Sequence, residues 1–138
     1  MASAIDIRVA GLLLRARLEL DAAPRTCAAF LALLPLRAKL LQARWSGEAA
    51  WVPLGDLDVG LGPENATSHP APGDLLLHAG SLSETEILVP YGATLFASRV
   101  GQLAGNHFAS VEDGRDVLAE LGRRVLWDGA QDITFEVP

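Results

Sequence analysis

The chain has 138 residues, half of them hydrophobic, with one cysteine and 17 acidic against 11 basic side chains for a formal charge of −6. That length suits a single domain over residues 1–138, with enough apolar mass for a core that needs no disulfide. An acidic chain with no run of lysine or arginine argues against nucleic acid as a partner, and the longest apolar run, Ala28 to Leu36, is too short for a membrane span and is broken by Pro35.

Ile5, Ile7 and Val9 alternate with Asp6 and Arg8, and Leu14, Ala16, Leu18 and Leu20 alternate with Arg15, Arg17, Glu19 and Asp21. Period two on both sides of Gly11 predicts a β-hairpin with one wet face. Beyond Asp21 the period lengthens. Pro24 suits a first helical turn, Cys27, Phe30, Leu31 and Leu34 recur at helical spacing, and Pro35 closes the pattern, so a helix of roughly ten residues is predicted. Leu36 to Trp45 then runs to a Ser46-Gly47 turn, and Ala49 to Leu54 returns as its paired strand.

From Pro53 to Gly73 glycine and proline abound without a sustained period, and a loop this long in a compact domain is usually functional or mobile. Leu75 to Leu77 and Ile87 to Val89, flanked by Gly73, Gly80 and Pro90-Tyr91-Gly92, predict two short buried strands. Thr94 to Val100 predicts a further strand. Gly105-Asn106 turns the chain into His107 to Val111, Asp113 to Leu121 predicts a short helix closed by Gly122, and Ile133, Phe135 and Val137 mark a final strand.

Chemistry-bearing residues gather between Pro63 and Gly92, which hold His69, His78, Glu64, Glu84, Glu86 and the only tyrosine, Tyr91. Strands that deliver ionisable groups at their ends are a usual way for a β scaffold to build a pocket. No metal is expected, because the three histidines and one cysteine lack the close spacings of zinc sites, and no cofactor is expected either. Phosphate-loop glycines and a G-x-S-x-G elbow are missing, and Cys27, among alanines, suits a buried inert thiol. No positively charged leader opens the chain, so a cytoplasmic protein is expected.

Four stretches, in order, resemble the cyclophilin fold. They are Glu19-Leu20 with Pro24, Thr26 and Phe30; Gly73, Leu75 and His78-Ala79-Gly80; Glu86-Ile87-Leu88-Val89; and Phe108-Ala109-Ser110-Val111 with Glu112-Asp113-Gly114. The stretches ARWSGEAAWVP and FASRVGQLAGNHF are similar to those of a bacterial cyclophilin-like family of small proteins with no assigned activity. The resemblance implies a mainly β chain forming a closed barrel of about eight strands with two short helices. Departures from the true prolyl isomerases matter as much. Arg44 could stand for their catalytic arginine, but no Gln-Gly-Gly-Asp follows, and His78, Glu86 and Leu88 replace an asparagine, a glutamine and the phenylalanine floor that accepts proline.

The resemblance places Arg44, Glu48, His78 and Glu86 in the groove as the candidate reactive set. Trp45, Trp51, Asn65, His69, Leu88, Tyr91 and His107 form the candidate ligand contacts. An arginine grips a carboxylate bidentately and a partly buried glutamate takes an ammonium or acts as a base, which suits a small polar carboxylate, amino acid or amide. Plainer alternatives stand beside these readings: Arg44 and Glu48 as partners across a turn, His78 as a core-edge residue bonded to a backbone carbonyl, and His69 as a solvated loop residue. His107 has two alignments that exclude each other. Two rival functions remain open, a residual prolyl isomerase or peptide-binding module, and a structural subunit of a homodimer or larger oligomer.

Overall fold

The computed structural model describes residues 2–138. Strands β1 (Ala4–Val9) and β2 (Leu12–Leu18) pair as the antiparallel hairpin that period two requires. Ala10 and Gly11 both take positive φ, 53° and 75°, the turn whose twist matches paired strands. Helix α1 (Pro24–Leu31) buries Thr26, Cys27 and Phe30. It is shorter than the ten residues expected, because Leu33 and Leu34 donate to Phe30 and Leu31 in tightened i→i+3 turns before Pro35, where helical backbone is disfavoured.

The remaining elements are β3 (Leu36–Gln42), β4 (Gly47–Pro53), β5 (Ala66–Thr67), β6 (Asp74–His78), β7 (Glu86–Thr94), β8 (Ala97–Ser98), β9 (Gly101–Gln102), β10 (Gly105–Asp113), a 3-10 turn at Arg115–Val117, α2 (Leu118–Asp128) and β11 (Gln131–Glu136). Antiparallel pairing runs β2-β1-β11-β3-β4-β7-β6-β10, and β10 pairs back onto β2, which closes an eight-stranded barrel. Its interior is filled by Ile5, Ile7, Leu14, Val52, Leu75, Leu77, Ile87, Val89 and Phe135, joined by Phe30 from α1 and Leu121 and Val125 from α2. No helix among the described residues is long and apolar enough to cross a membrane.

Three expected elements are corrected. Gly105 and Asn106 do not turn the chain but open β10, paired with Thr67 and Ala66 of β5. The single strand from Thr94 to Val100 is instead an arch leading to the small β8–β9 hairpin, because Phe96 folds back onto Leu76, Leu88 and Leu103 on the outer face of the barrel rather than alternating along a ladder. The late helix does not stop at Gly122. It runs to Asp128, and Gly122 lies in its middle where a Cβ would come within 2.1 Å of the Tyr91 ring, so the glycine allows helix and strand to approach.

The long segment after β4 is tied down. The Glu64 carboxylate accepts from the Thr26 and Arg25 N–H groups (2.8 and 3.2 Å) and from Thr26 Oγ1 (2.7 Å), capping α1 from outside the helix. Buried Asn106 accepts from Glu64 N–H and donates to Thr26 Oγ1 and Gly62 O. One further layer positions the site. Register places Leu76 opposite Leu88 and Leu88 opposite Trp51, so these three share the outer face of the barrel wall, where Ala43, Ala49, Phe96 and Leu103 cover them as a second apolar cluster.

Candidate functional site

The parity that turns Leu88 outward also turns Glu86 outward, two residues earlier at the start of β7 and opposite both His78 and Pro53. Arg44 and Trp45 stand on the β3–β4 turn. Ser46 locks that turn to the β8 hairpin, its hydroxyl donating to Ala97 O (3.0 Å) and accepting from Ala97 N–H (3.1 Å). The third wall is the loop between β6 and β7. Thr85 holds its end through N–H to Gly55 O (2.9 Å) and Oγ1 to Leu57 O (2.7 Å). Together these segments enclose a cavity of about 220 Å³ lined by Arg44, Trp45, Trp51, Ser83, Glu84, Glu86, Ala97, Ser98 and Arg99.

The electrostatics of this cavity are unusual for the molecule. Two guanidiniums, Arg44 and Arg99, and two carboxylates, Glu84 and Glu86, line one small space, and none of the ion pairs among the described residues involves any of them. Glu86 is only 6% exposed. Burial, and secondarily the negative charge of Glu84, push its carboxyl up to about 7, with no hydrogen bond to offset the cost. A carboxyl in that range carries or releases a proton near neutrality, and two arginines line the same cavity.

The structure brings together Arg44, Trp45, Trp51 and Glu86 from the sequence-derived candidates and separates the others. Glu48 points away: the ladder shifts register between Gly47 and Ala49, and its carboxylate accepts from Ala93 N–H (2.9 Å) against Gly92. The turn partnership with Arg44 is not formed either. His78 is buried, edge-on to Phe96 at 5.8 Å between ring centres. Its Nδ1 lies 3.1 Å from Glu84 O and 3.3 Å from the Gly80 nitrogen, so in one tautomer it donates to the carbonyl and in the other it accepts the N–H. Either bond holds the loop that carries Ser83 and Glu84. Leu88 lies beneath the apolar cluster, and Tyr91 donates to Gln42 Oε1 (2.7 Å) while packing under α2 at Gly122.

Three candidates lie elsewhere on the surface. Asn65 donates to His107 O (2.9 Å) at a positive-φ turn, and His69 is exposed with its backbone N–H on Thr67 Oγ1. His107 sits at a bulge in β10, its Nε2 2.8 Å from Ser110 Oγ, which donates to Glu19. Sequence reasoning missed Ser83, Glu84, Ser98 and Arg99. Glu84 carried a signal, lying two residues before Glu86; Arg99 had none, because tertiary ties of Leu95, Phe96 and Ala97 to Ser46, Ser68 and the outer apolar cluster bring its hairpin to the turn. No group of ligating side chains among the described residues could hold a metal ion.

Residues 5–137 match the family described as protein of unknown function DUF3830, and the chain belongs to that family. No curated protein matches it. Among solved structures, McbB in complex with tryptophan superposes with a TM-score of 0.74 at 19% identity, over 96% of this chain and 44% of that one. This chain therefore spans less than half of McbB. The hypothetical protein AF2241 from Archaeoglobus fulgidus gives 0.65 at 16% identity, with 99% and 95% covered. A cyclophilin-type peptidyl-prolyl cis-trans isomerase from Cryptosporidium parvum, solved in the presence of an alanine-proline dipeptide, gives 0.60 at 14%, with 98% of each chain covered. At these identities the likeness is one of fold, and that fold is the cyclophilin-like barrel the sequence implied.

Proposed function

We propose that this DUF3830 member binds a small zwitterion, an α-amino acid or a close derivative bearing both a carboxylate and an ammonium, in the cavity between the Arg44–Trp45 turn and the Arg99 hairpin. The observation that carries the reading is that two arginines and two glutamates line one cavity and take part in none of the ion pairs among the described residues. A zwitterion satisfies both signs at once: its carboxylate takes the planar fork of Arg44 or Arg99, and its ammonium takes Glu86, whose carboxyl it would draw back to the ionised state. A cavity of about 220 Å³ suits a ligand of amino-acid size rather than a large cofactor. That one structural neighbour was solved with tryptophan agrees with this ligand class.

The rival prolyl-peptide reading has less support. Leu88, the counterpart of the proline-accepting phenylalanine, is buried under Phe96 and packed beside Trp51, so no apolar slot is open at that point. Thermal unfolding against amino acids, simple carboxylates, simple amines and a proline tetrapeptide tests the proposal. An amino acid at about 100 times its dissociation constant adds roughly 2.7 kcal/mol and raises the midpoint by several degrees. The rise should vanish in Arg44→Ala and Arg99→Ala and weaken in Glu86→Gln. A rise with the tetrapeptide alone, or with carboxylates and amines as strongly as with amino acids, overturns it.

A further inference from the structure

Among the charged residues that line the cavity stand two indoles, Trp45 and Trp51, and exposed apolar side chains follow or precede two other lining residues. Nine large apolar side chains of the described residues are exposed, and three stand on the three chain segments that meet at this cavity. Trp45, 57% exposed, lines it directly. Leu82, 74% exposed, precedes Ser83 on the β6–β7 loop, and Val100, 62% exposed, follows Arg99 at the hairpin tip. A fourth, Leu57, lines the adjoining groove, which shares Ser83 and Glu84 with the cavity. Single exposed apolar residues are ordinary on a protein surface, whereas a cluster around a polar recess marks where an apolar group is received. The aromatic pairs among the described residues involve only Phe30, Phe96, Phe108, Phe135 and His78, which leaves the face of the Trp45 indole free to stack.

Resting on the amino-acid reading, we infer that the ligand is an α-amino acid with a large apolar side chain. Its charged head lies on the floor formed by Arg44, Arg99 and Glu86, and its side chain lies against Trp45, Leu82 and Val100. A small or hydrophilic amino acid would satisfy the floor and leave the rim in water, gaining nothing from three solvent-facing apolar side chains. A ligand of the inferred class covers both. The rim thereby sets specificity while the floor sets the requirement for a zwitterion, two contributions that reside on different residues and can be separated by substitution.

Titration calorimetry of the full chain with glycine, alanine, leucine and phenylalanine separates them. Leucine and phenylalanine should bind about 10- to 100-fold more tightly than glycine, the usual gain for burying a side chain of that size. The double variant L82S/V100S changes only exposed positions, and in it that preference should shrink toward parity. In Trp127→Ala, which removes an equally exposed indole on α2 away from the cavity, the preference should persist. Equal affinity for glycine and phenylalanine, or a preference untouched by L82S/V100S, overturns the assignment of the rim while leaving the amino-acid site standing. Silence with all four ligands overturns the amino-acid reading and this inference with it.

Discussion

Glu86→Gln replaces a buried carboxyl by a neutral group of the same shape, and its effect should depend on pH in a calculable way. The folded protein holds this carboxyl at about 7 against an ordinary 4.5, chiefly by burial and secondarily through Glu84. Protons therefore bind the folded state more tightly than the unfolded one. Below pH 4.5 both states are protonated and there is no penalty; as pH rises toward 7 the unfolded chain ionises first and stability falls; above 7 the full penalty remains. At ~1.36 kcal/mol per tenfold, that penalty is about 3 kcal/mol. The variant should thus match the wild type within about 1 kcal/mol at pH 5 and exceed it by about 3 kcal/mol at pH 8, equivalent to a midpoint higher by roughly 9 °C in a domain of this size. Thermal unfolding of both proteins from pH 4.5 to 9 reads this directly. A gap that is the same at pH 5 and pH 8 would refute the argument, because a group that is not titrating in this window cannot produce a gap that opens with pH.

Three further substitutions or modifications test the rest of the structure. Glu64→Ala removes the acceptor for two N–H groups and a hydroxyl at the start of α1 and should cost about 2 kcal/mol in urea unfolding. Burial alone would raise the Glu64 carboxyl, but the bonds from Thr26 and Arg25 outweigh it and hold it below its ordinary value. Its contribution is therefore present above the ordinary value and lost as pH falls through the lower folded value, where wild type and variant should converge. Gly122→Ala should destabilise by about 1–3 kcal/mol despite the better helix propensity of alanine, because the new methyl meets the Tyr91 ring, and Tyr91→Leu should relieve most of the loss. Cys27, buried and pushed up to about 11 by burial and secondarily by Glu64, should resist alkylation at pH 8 in the native state and react at once in urea. Labelling at equal rates in both states would contradict its burial.

The barrel was legible where one period served one face. The hairpin, α1, β6, β7 and β11 follow from alternation or helical spacing, and the four cyclophilin-like stretches set their order in the barrel. Gly122 misled because a helix stop and a close helix–strand approach both call for glycine, and only the buried face of Leu118, Leu121 and Val125 shows that the helix continues. Thr94 to Val100 misled because Phe96 packs on the outside of the barrel, a second apolar cluster for which a single-core reading has no place. Glu48 misled through parity: alternation along β4 sets it on the face of Ala50 and Val52 rather than that of Trp51, and at the bulge after Gly47 its carboxylate meets Ala93 N–H. Arg44, Trp45, Trp51 and Glu86 share one cavity because the resemblance to the cyclophilin barrel gave the strand order that brings the β3–β4 turn beside β7. Arg99 was missed because its place depends on long-range ties, Ser46 bonded to Ala97 across 51 residues of sequence and Phe96 packed on the outer cluster.

The other poorly exposed acids of this chain are partnered, and Glu86 is not. Asp6 is as little exposed, though nearer the surface, and Arg15 grips both of its oxygens at 2.7 and 3.2 Å and holds its carboxyl below the ordinary value. Glu19 is partly buried but accepts from Ser110 and Arg17 and titrates low as well. A fold that partners these carboxyls is capable of partnering Glu86, and Arg44 and Arg99 line the same cavity without pairing to it. The barrel interior is filled and both helices pack into that core, so a ligand is received on the outside, and the cavity beside β4 and β7 is where it would meet Glu86. An uncompensated carboxyl costing about 3 kcal/mol there is a liability for a purely structural subunit and an asset for a site that receives an ammonium.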